Sequence, residues 1–165
     1  MSGIPPAFFG LLGTFLGVFI SWVMTRRRNR SQLTFDMHRE FNNAEFSNAR
    51  RQADLLLRKH PSKRLDEIEE IEEGYLIWLV IRFYQRLWIA IKYQQIKPQL
   101  VPELFGEIFF WWYFIHYKDK LITSSYQSTR DDIEALKTWF DNNSPKYLQS
   151  CWIERCLNTK ENMDT

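Results

Sequence analysis

Glycine is scarce beyond the first residues of this 165-residue chain, and the common catalytic motifs are missing. Four of the six glycines lie within the first 17 residues, which leaves only Gly74 and Gly106 for the remainder. The chain therefore lacks a glycine-rich phosphate-binding loop, and the metalloprotease and nucleophile-elbow motifs are absent too. His38, His60 and His116 lie far apart in sequence, without the local spacing of metal ligands. The sequence thus predicts no enzyme, no metal and no cofactor.

Cysteine is also rare. Cys151 and Cys156 are the only two, and no histidine cluster accompanies them. A single pair is a poor zinc signal, and a structural disulfide is not expected in a reducing compartment. We interpret both as ordinary free thiols.

Charge is absent from residues 4–24, and this gap is the most informative feature of the chain. A helix of about 20 apolar residues matches the roughly 30 Å hydrocarbon core of a bilayer. The arginine cluster, which consists of Arg26, Arg27, Arg28 and Arg30, follows the run, and no basic side chain precedes it. A cleaved signal peptide, the alternative, would carry its charges first. Residues 1–30 are therefore predicted to be a single-pass anchor, with the N-terminus outside and the remainder in the cytoplasm.

Small residues follow one face of this predicted anchor. They are Gly10, Gly13, Gly17 and Ser21. Gly13 and Gly17 form a G-x-x-x-G pair, which lets two helix backbones approach closely in lipid. The stripe predicts a homo-oligomer formed through the anchor. The alternative is that glycine is simply frequent in membrane helices.

Basic residues are not in excess outside the arginine cluster. Without those four arginines, the chain has 18 basic against 20 acidic residues. A nucleic-acid-binding domain should carry a basic excess, so nucleic acid is not expected as a partner. The cluster instead suits anionic lipid headgroups, which attract a nearby basic residue by roughly 1 kcal/mol. The predicted partners are membrane lipids and an unidentified protein that contacts exposed aromatic side chains.

Apolar residues at helical spacing predict an all-α domain of about five helices over residues 31–157. A turn at Asn42–Asn43 separates a short juxtamembrane helix from one over 44–59, for which Asn43 is the N-cap. The longest helix is expected over 65–95, and others are expected from Pro102, from a capping box at Thr129 and after Ser144. Residues 158–165 are predicted to form a disordered tail.

Residues 75–93 are apolar enough to suggest a second membrane span. Arg82 and Arg86 lie in the middle of the run, and each costs about 2.5–3.5 kcal/mol near the centre of a membrane helix. A central core helix with one polar stripe is therefore the preferred interpretation. The charge-free run 108–115 is also predicted to be a buried helix, because no partner strand is evident.

Charged residues of the two longest predicted helices could meet across an antiparallel hairpin around Pro98. In such a hairpin, residues whose numbers sum to about 197 face each other. The resulting polar cluster consists of Arg82, Arg86, Glu103, Glu107 and Asp119. A buried arginine needs such a partner because an unpaired buried charge is very costly. We favour structural ion pairs over the alternative, an anionic-ligand pocket floored by Trp111 and Trp112.

Several short motifs carry a resemblance to a known family. After the arginine cluster come, in order, Phe-Asn-Asn-x-x-Phe at 41–46, Ala49-Arg50-Arg51, Arg82-Phe83-Tyr84 and Trp111-Trp112-Tyr113. Over most of residues 31–140 the chain resembles a bacterial domain of unknown function with one N-terminal span and a small cytoplasmic helical domain. The resemblance implies a bacterial inner-membrane protein, suggests a setting in stress or phage defence, and transfers no catalytic residue.

Taken together, the sequence predicts a non-enzymatic, membrane-tethered interaction or sensing module. The alternative is a membrane-perturbing effector that oligomerises through its anchor and inserts its aromatic helices when triggered. A third hypothesis, an enzyme that acts on an anionic substrate at the polar cluster, ranks last because no nucleophile or metal site accompanies those charges.

Overall fold

The computed structural model describes the backbone of residues 6–69, 73–118, 120 and 126–161. Side chains are described from Phe15 onwards within these ranges, except at positions 66, 69, 160 and 161. Every regular element in these ranges is helical, and the described residues contain no strand. The predicted all-α class is therefore confirmed.

The helices follow one another with short connections. In chain order they are α1 (Pro6–Asn42), α2 (Ala44–Lys59), α3 (Leu65–Glu69), α4 (Tyr75–Lys92), α5 (Glu107–Trp112), α6 (Gln127–Asn143) and α7 (Lys146–Glu161). A 3₁₀ turn at Pro98–Leu100 precedes α5, which lies between two π-helical segments, Pro102–Gly106 and Tyr113–Tyr117.

The first turn in the chain lies where the two asparagines predict it. The Asn43 side chain accepts a hydrogen bond from the Phe46 backbone N–H at 2.6 Å, so it caps α2 as expected. The bounds of α2 are also those predicted. The juxtamembrane helix, however, is not a separate element, because α1 is one continuous helix of 37 residues.

Three other predicted helix boundaries are wrong. The helix expected over 65–95 is interrupted by a turn at Glu73–Gly74, where glycine has low helix propensity. The last helix continues to Glu161, so residues 158–161 are helical, and residues 162–165 lie outside the described residues. Thr129 is not an N-cap, since α6 begins at Gln127 and Thr129 is buried within it.

The beginning of α7 also differs from the prediction. The Ser144 hydroxyl is buried and has no hydrogen-bond partner among the described residues, so it does not cap the helix. The Pro145 carbonyl instead accepts the backbone N–H groups of Leu148 and Gln149, at 3.0 and 3.2 Å. Of the two free thiols, Cys156 is buried and Cys151 is exposed.

Aromatic side chains form the centre of a single core. Phe41 of α1 contacts Phe83 of α4 with ring centroids 4.8 Å apart, and Phe105 lies 5.6 Å from Phe41. Helix α4 packs against α2 and α6, while α5 packs against α7. The interpretation of α4 as a central core helix is confirmed, because eight of its residues are buried.

Within the described part of the chain, no helix is both long enough and apolar enough to cross a membrane. The predicted span begins at Ile4, which lies outside the described residues.

Candidate functional site

The predicted polar cluster is not assembled in the structure. Arg82 is exposed, and no ion pair to it is found among the described residues. Arg86 forms an ion pair with Glu40 of α1, and their side chains are 55% and 41% exposed. The expected burial of the two arginines is therefore wrong.

The two glutamates of the predicted cluster are also at the surface. Glu107 pairs with Arg155 of α7 rather than with an arginine of α4. Glu103 is exposed, and Asp119 lies outside the described residues. The hairpin prediction assumed two regular α-helices lying side by side, whereas α4 packs against α2 and α6. The π-helical segments on both sides of α5 also change which residues share a face.

The arginine that does enter the core is Arg50 of α2. Its guanidinium lies over the ring of Phe41, 4.0 Å from the centroid, and 5.8 Å from that of Phe46. Burial lowers the pKa of Arg50, while the nearby Tyr84 acts in the opposite direction. Aromatic faces thus attract this cation, and no carboxylate pairs with it among the described residues. Only the family resemblance drew attention to this position.

A buried histidine joins α2 to the segment that follows α5. His116 Nε2 lies 2.8 Å from Asp54 Oδ1, which also accepts a hydrogen bond from Arg58 Nε at 2.7 Å. The rings of Trp111 and Trp112 lie 5.3 and 5.1 Å from the imidazole. Burial lowers the pKa of His116, and the hydrogen bond to Asp54 raises it only in part. The neutral imidazole therefore donates through Nε2–H to the carboxylate.

The same surroundings also shift the pKa of the carboxylate of this pair, Asp54. Burial alone would raise the pKa of Asp54, but hydrogen bonds from His116 and Arg58 outweigh it and hold that pKa below its usual value. No serine, threonine or cysteine hydrogen-bonds His116 in the described part of the chain. We interpret the pair as a structural link, which sequence reasoning missed because Asp54 and His116 are 62 residues apart.

Lys120 extends this link to the end of α2. Its ammonium donates to the backbone carbonyls of His60, Pro61 and Lys63 at 3.0, 2.9 and 2.7 Å. A lysine that satisfies carbonyls after the last helical turn also complements the negative end of the helix dipole. The loop after α2 is therefore held by one cation.

A cleft lies between α1 and the end of α4, and we call it the arginine cleft. Its volume is about 530 Å³, and its lining residues are Trp22, Thr25, Arg26, Asn29, Arg30, Leu33, Tyr93, Gln94 and Gln95. Arg30 Nη2 donates to Gln94 Oε1 at 3.1 Å, and the Arg26 guanidinium lies 5.3 Å from the Trp22 ring centroid. Two of the four arginines predicted to contact lipid headgroups thus line one concave site.

The walls of the arginine cleft are held together by a short polar relay. The Lys97 backbone N–H donates to Thr34 Oγ1 at 2.9 Å, and the Thr34 hydroxyl donates to the Arg30 carbonyl at 2.7 Å. Thr34 is fully buried. The loop after α4 is therefore fixed to α1 one turn beyond the cleft.

The predicted small-residue stripe is only partly described. Gly10 and Gly13 belong to α1, but their surroundings lie outside the described side chains. Ser21 is exposed, and a Cβ added to Gly17 would meet nothing within 4 Å. This face of α1 is therefore open at Gly17 and Ser21.

No group of three or more metal-ligating side chains occurs in the described ranges. Comparison of the chain with protein families, with curated proteins and with solved structures finds no match.

Proposed function

We propose that this protein is a non-enzymatic, membrane-tethered interaction or sensing module of a bacterial inner membrane. One observation carries the proposal: residues 15–24 of α1 present large apolar side chains that no described residue covers. More than half of the surface of each is exposed at Phe15, Leu16, Val18, Phe19, Ile20, Trp22 and Met24. Monomeric proteins in water rarely expose a contiguous apolar patch of this kind.

The charge order along α1 supports the orientation in this proposal. The apolar run ends at Met24, the arginine cluster follows it, and the same helix then enters the core at Met37 and Phe41. By the positive-inside rule, arginines on this side support a cytoplasmic helical domain and an N-terminus outside. Because α1 is continuous, the anchor and the domain behave as one rigid piece.

Membrane attachment can be tested by fractionating bacteria that express the full chain. We expect the protein to stay in the pellet after extraction with alkaline carbonate, since an inserted helix resists that treatment. Release into the supernatant would overturn the tether.

The exposed Cys151 tests orientation without any substitution. An impermeant maleimide should label the protein in lysed cells and leave it unlabelled in intact spheroplasts, with Cys151→Ser as the control for site identity. Labelling of intact spheroplasts would contradict a cytoplasmic domain.

A second function, a membrane-perturbing effector, is favoured by the open face at Gly17. In this proposal the G-x-x-x-G pair joins copies of α1, and the oligomer permeabilises the membrane. Overexpression should then depolarise cells, and Gly13→Leu with Gly17→Leu should abolish the effect. Normal membrane potential at high expression would leave the tethered module as the better proposal.

A further inference from the structure

Resting on the membrane placement proposed above, we infer that the arginine cleft binds the phosphodiester of one anionic glycerophospholipid. This inference goes beyond diffuse attraction between arginines and a charged surface, because it assigns one lipid molecule to one defined binding site. The site comprises Trp22, Arg26, Arg30, Tyr93 and Gln94.

The arginine cleft is lined by two cationic side chains, Arg26 and Arg30. Gln94 positions the Arg30 guanidinium by accepting a hydrogen bond from Nη2 at 3.1 Å. No aspartate or glutamate is among the residues that line the cleft. A phosphate matches this deficit, since it offers several charged oxygens to the planar fork of an arginine.

Aromatic residues indicate that the occupant comes from the membrane rather than from solution. Trp22 of α1 and Tyr93 at the end of α4 line the same cleft, and both are more than half exposed. Tryptophan and tyrosine concentrate at the depth of lipid headgroups, where an apolar ring and a polar tip are both satisfied. The volume of about 530 Å³ falls within the range of small-ligand sites, roughly 300–1,000 Å³.

The turn that ends α4 brings Gln94 to the arginine cleft. Gln94 has φ of 52°, a left-handed conformation that residues other than glycine seldom adopt. From this position its side chain reaches Arg30 on a helix 64 residues earlier in the chain. Gln94 directly follows the C-cap of α4, where a left-handed residue commonly ends a helix, and the Gln95 N–H completes that turn by donating to the Ala90 carbonyl at 2.8 Å.

The experiment uses the full chain, delipidated in detergent and titrated with phosphatidylglycerol or phosphatidylcholine, with bound lipids counted by native mass spectrometry. We expect one phosphatidylglycerol to bind at least about tenfold more tightly than the next. Arg30→Gln should abolish that first binding event. Arg28→Gln is the matched control, because Arg28 belongs to the same cluster but does not line the cleft; it should weaken binding no more than about fivefold.

Three results would overturn the inference. Equal weakening by Arg30→Gln and Arg28→Gln would mean diffuse attraction to the surface. Equal binding of the two lipids would mean that charge is not recognised. Displacement of the first lipid by millimolar inorganic phosphate would assign the site to a free anion instead of a lipid.

Gln94→Glu keeps the test decisive even where Arg30→Gln fails to fold. This variant preserves the shape of the side chain, gives Arg30 a carboxylate partner and repels phosphate. The first, tightly bound phosphatidylglycerol should therefore again be lost. Retention of that lipid would count against the site. Carbonate extraction of the same variants separates the two proposals. Variants that stay in the membrane but lose the tightly bound lipid support both membrane attachment and lipid binding in the cleft. Release of the wild-type chain by carbonate would instead overturn membrane attachment, on which the lipid site rests.

Discussion

The two halves of α1 have the same backbone and opposite surroundings. In the first half, Phe15 and Phe19 are 71% and 61% exposed, and in the second half Phe41 is fully buried among other aromatic rings. A polar stretch, the arginine cluster, separates the two. Apolar residues of similar size thus pack in the folded domain at Met37 and Phe41 but are exposed in residues 15–24.

The largest expected difference between the halves comes from removing one phenyl ring in each. Phe41→Ala should destabilise the domain by about 3–5 kcal/mol, because a buried ring is replaced by a cavity. Phe19→Ala, the matched change in the first half, should leave the unfolding midpoint unchanged. Chemical unfolding of the full chain in detergent, followed by tryptophan fluorescence, measures both. Equal effects would show that the first half also packs against the domain.

A second pair of variants adds a methyl group instead of removing a ring. At Gly106 the new Cβ would overlap the buried indole of Trp152, lying 2.7 Å from Cζ2, whereas at Gly17 it would meet nothing within 4 Å. Gly106→Ala should therefore cost about 1–3 kcal/mol by overpacking, and Gly17→Ala should cost nothing. The thermal unfolding midpoint reports the difference. An unchanged midpoint for Gly106→Ala would show that α7 moves aside freely.

A smaller effect on the stability of the domain is expected when the pH changes, because of the buried His116. Its folded-state pKa lies below the ordinary value of 6.5, so the unfolded chain takes up the proton first as the pH falls. Stability should therefore decrease from about pH 6.5 downward, and the depressed pKa of Asp54 adds a loss in the same direction at lower pH.

Melting temperatures at pH 7.5, 6.5 and 5.5 measure this dependence. His116→Gln should flatten this dependence between pH 7.5 and 5.5. A wild-type melting temperature that does not vary over this range would contradict the assignment of a neutral, buried imidazole.

The smallest effect is expected at the arginines of α4. Arg82→Ala and Arg86→Ala should each change the free energy of unfolding by less than about 1 kcal/mol, because exposed ion pairs contribute little. Buried ion pairs, which the sequence predicts for these arginines, would instead lose about 3–5 kcal/mol. A loss of that size for Arg86→Ala would show that the pair with Glu40 is shielded from water.

Local signals predicted α2 correctly, but not every helix boundary. The Asn43 cap and the bounds of α2 follow from neighbouring residues alone. In α6, the helical spacing of Ile133, Leu136 and Phe140 matches their burial on one face. Such features depend on backbone groups and side chains within one or two turns, which a single sequence displays directly.

Contacts between distant segments could not be predicted in the same way. The hairpin register assumed α-helical geometry through Pro102–Gly106 and Tyr113–Tyr117, where π-helical turns shift the faces. The pairing of Asp54 with His116 and the reach of Gln94 to Arg30 depend on how helices pack, and no short motif encodes either one. The arginines of the cleft were identified from sequence, but the concave site that they line was not.

The continuity of α1 has a mechanical consequence. Its 37 residues make a rod about 55 Å long, with neither a proline nor a glycine between Ser21 and Asn42 to act as a hinge. The relay at Thr34 and the ring of Phe41 clamp one end of the rod inside the helical domain. A tilt or rotation of the other end would therefore be transmitted to the domain. The hydrogen bond between Arg30 and Gln94 lies nearer that end than Thr34 and Phe41, so it would be strained before their contacts.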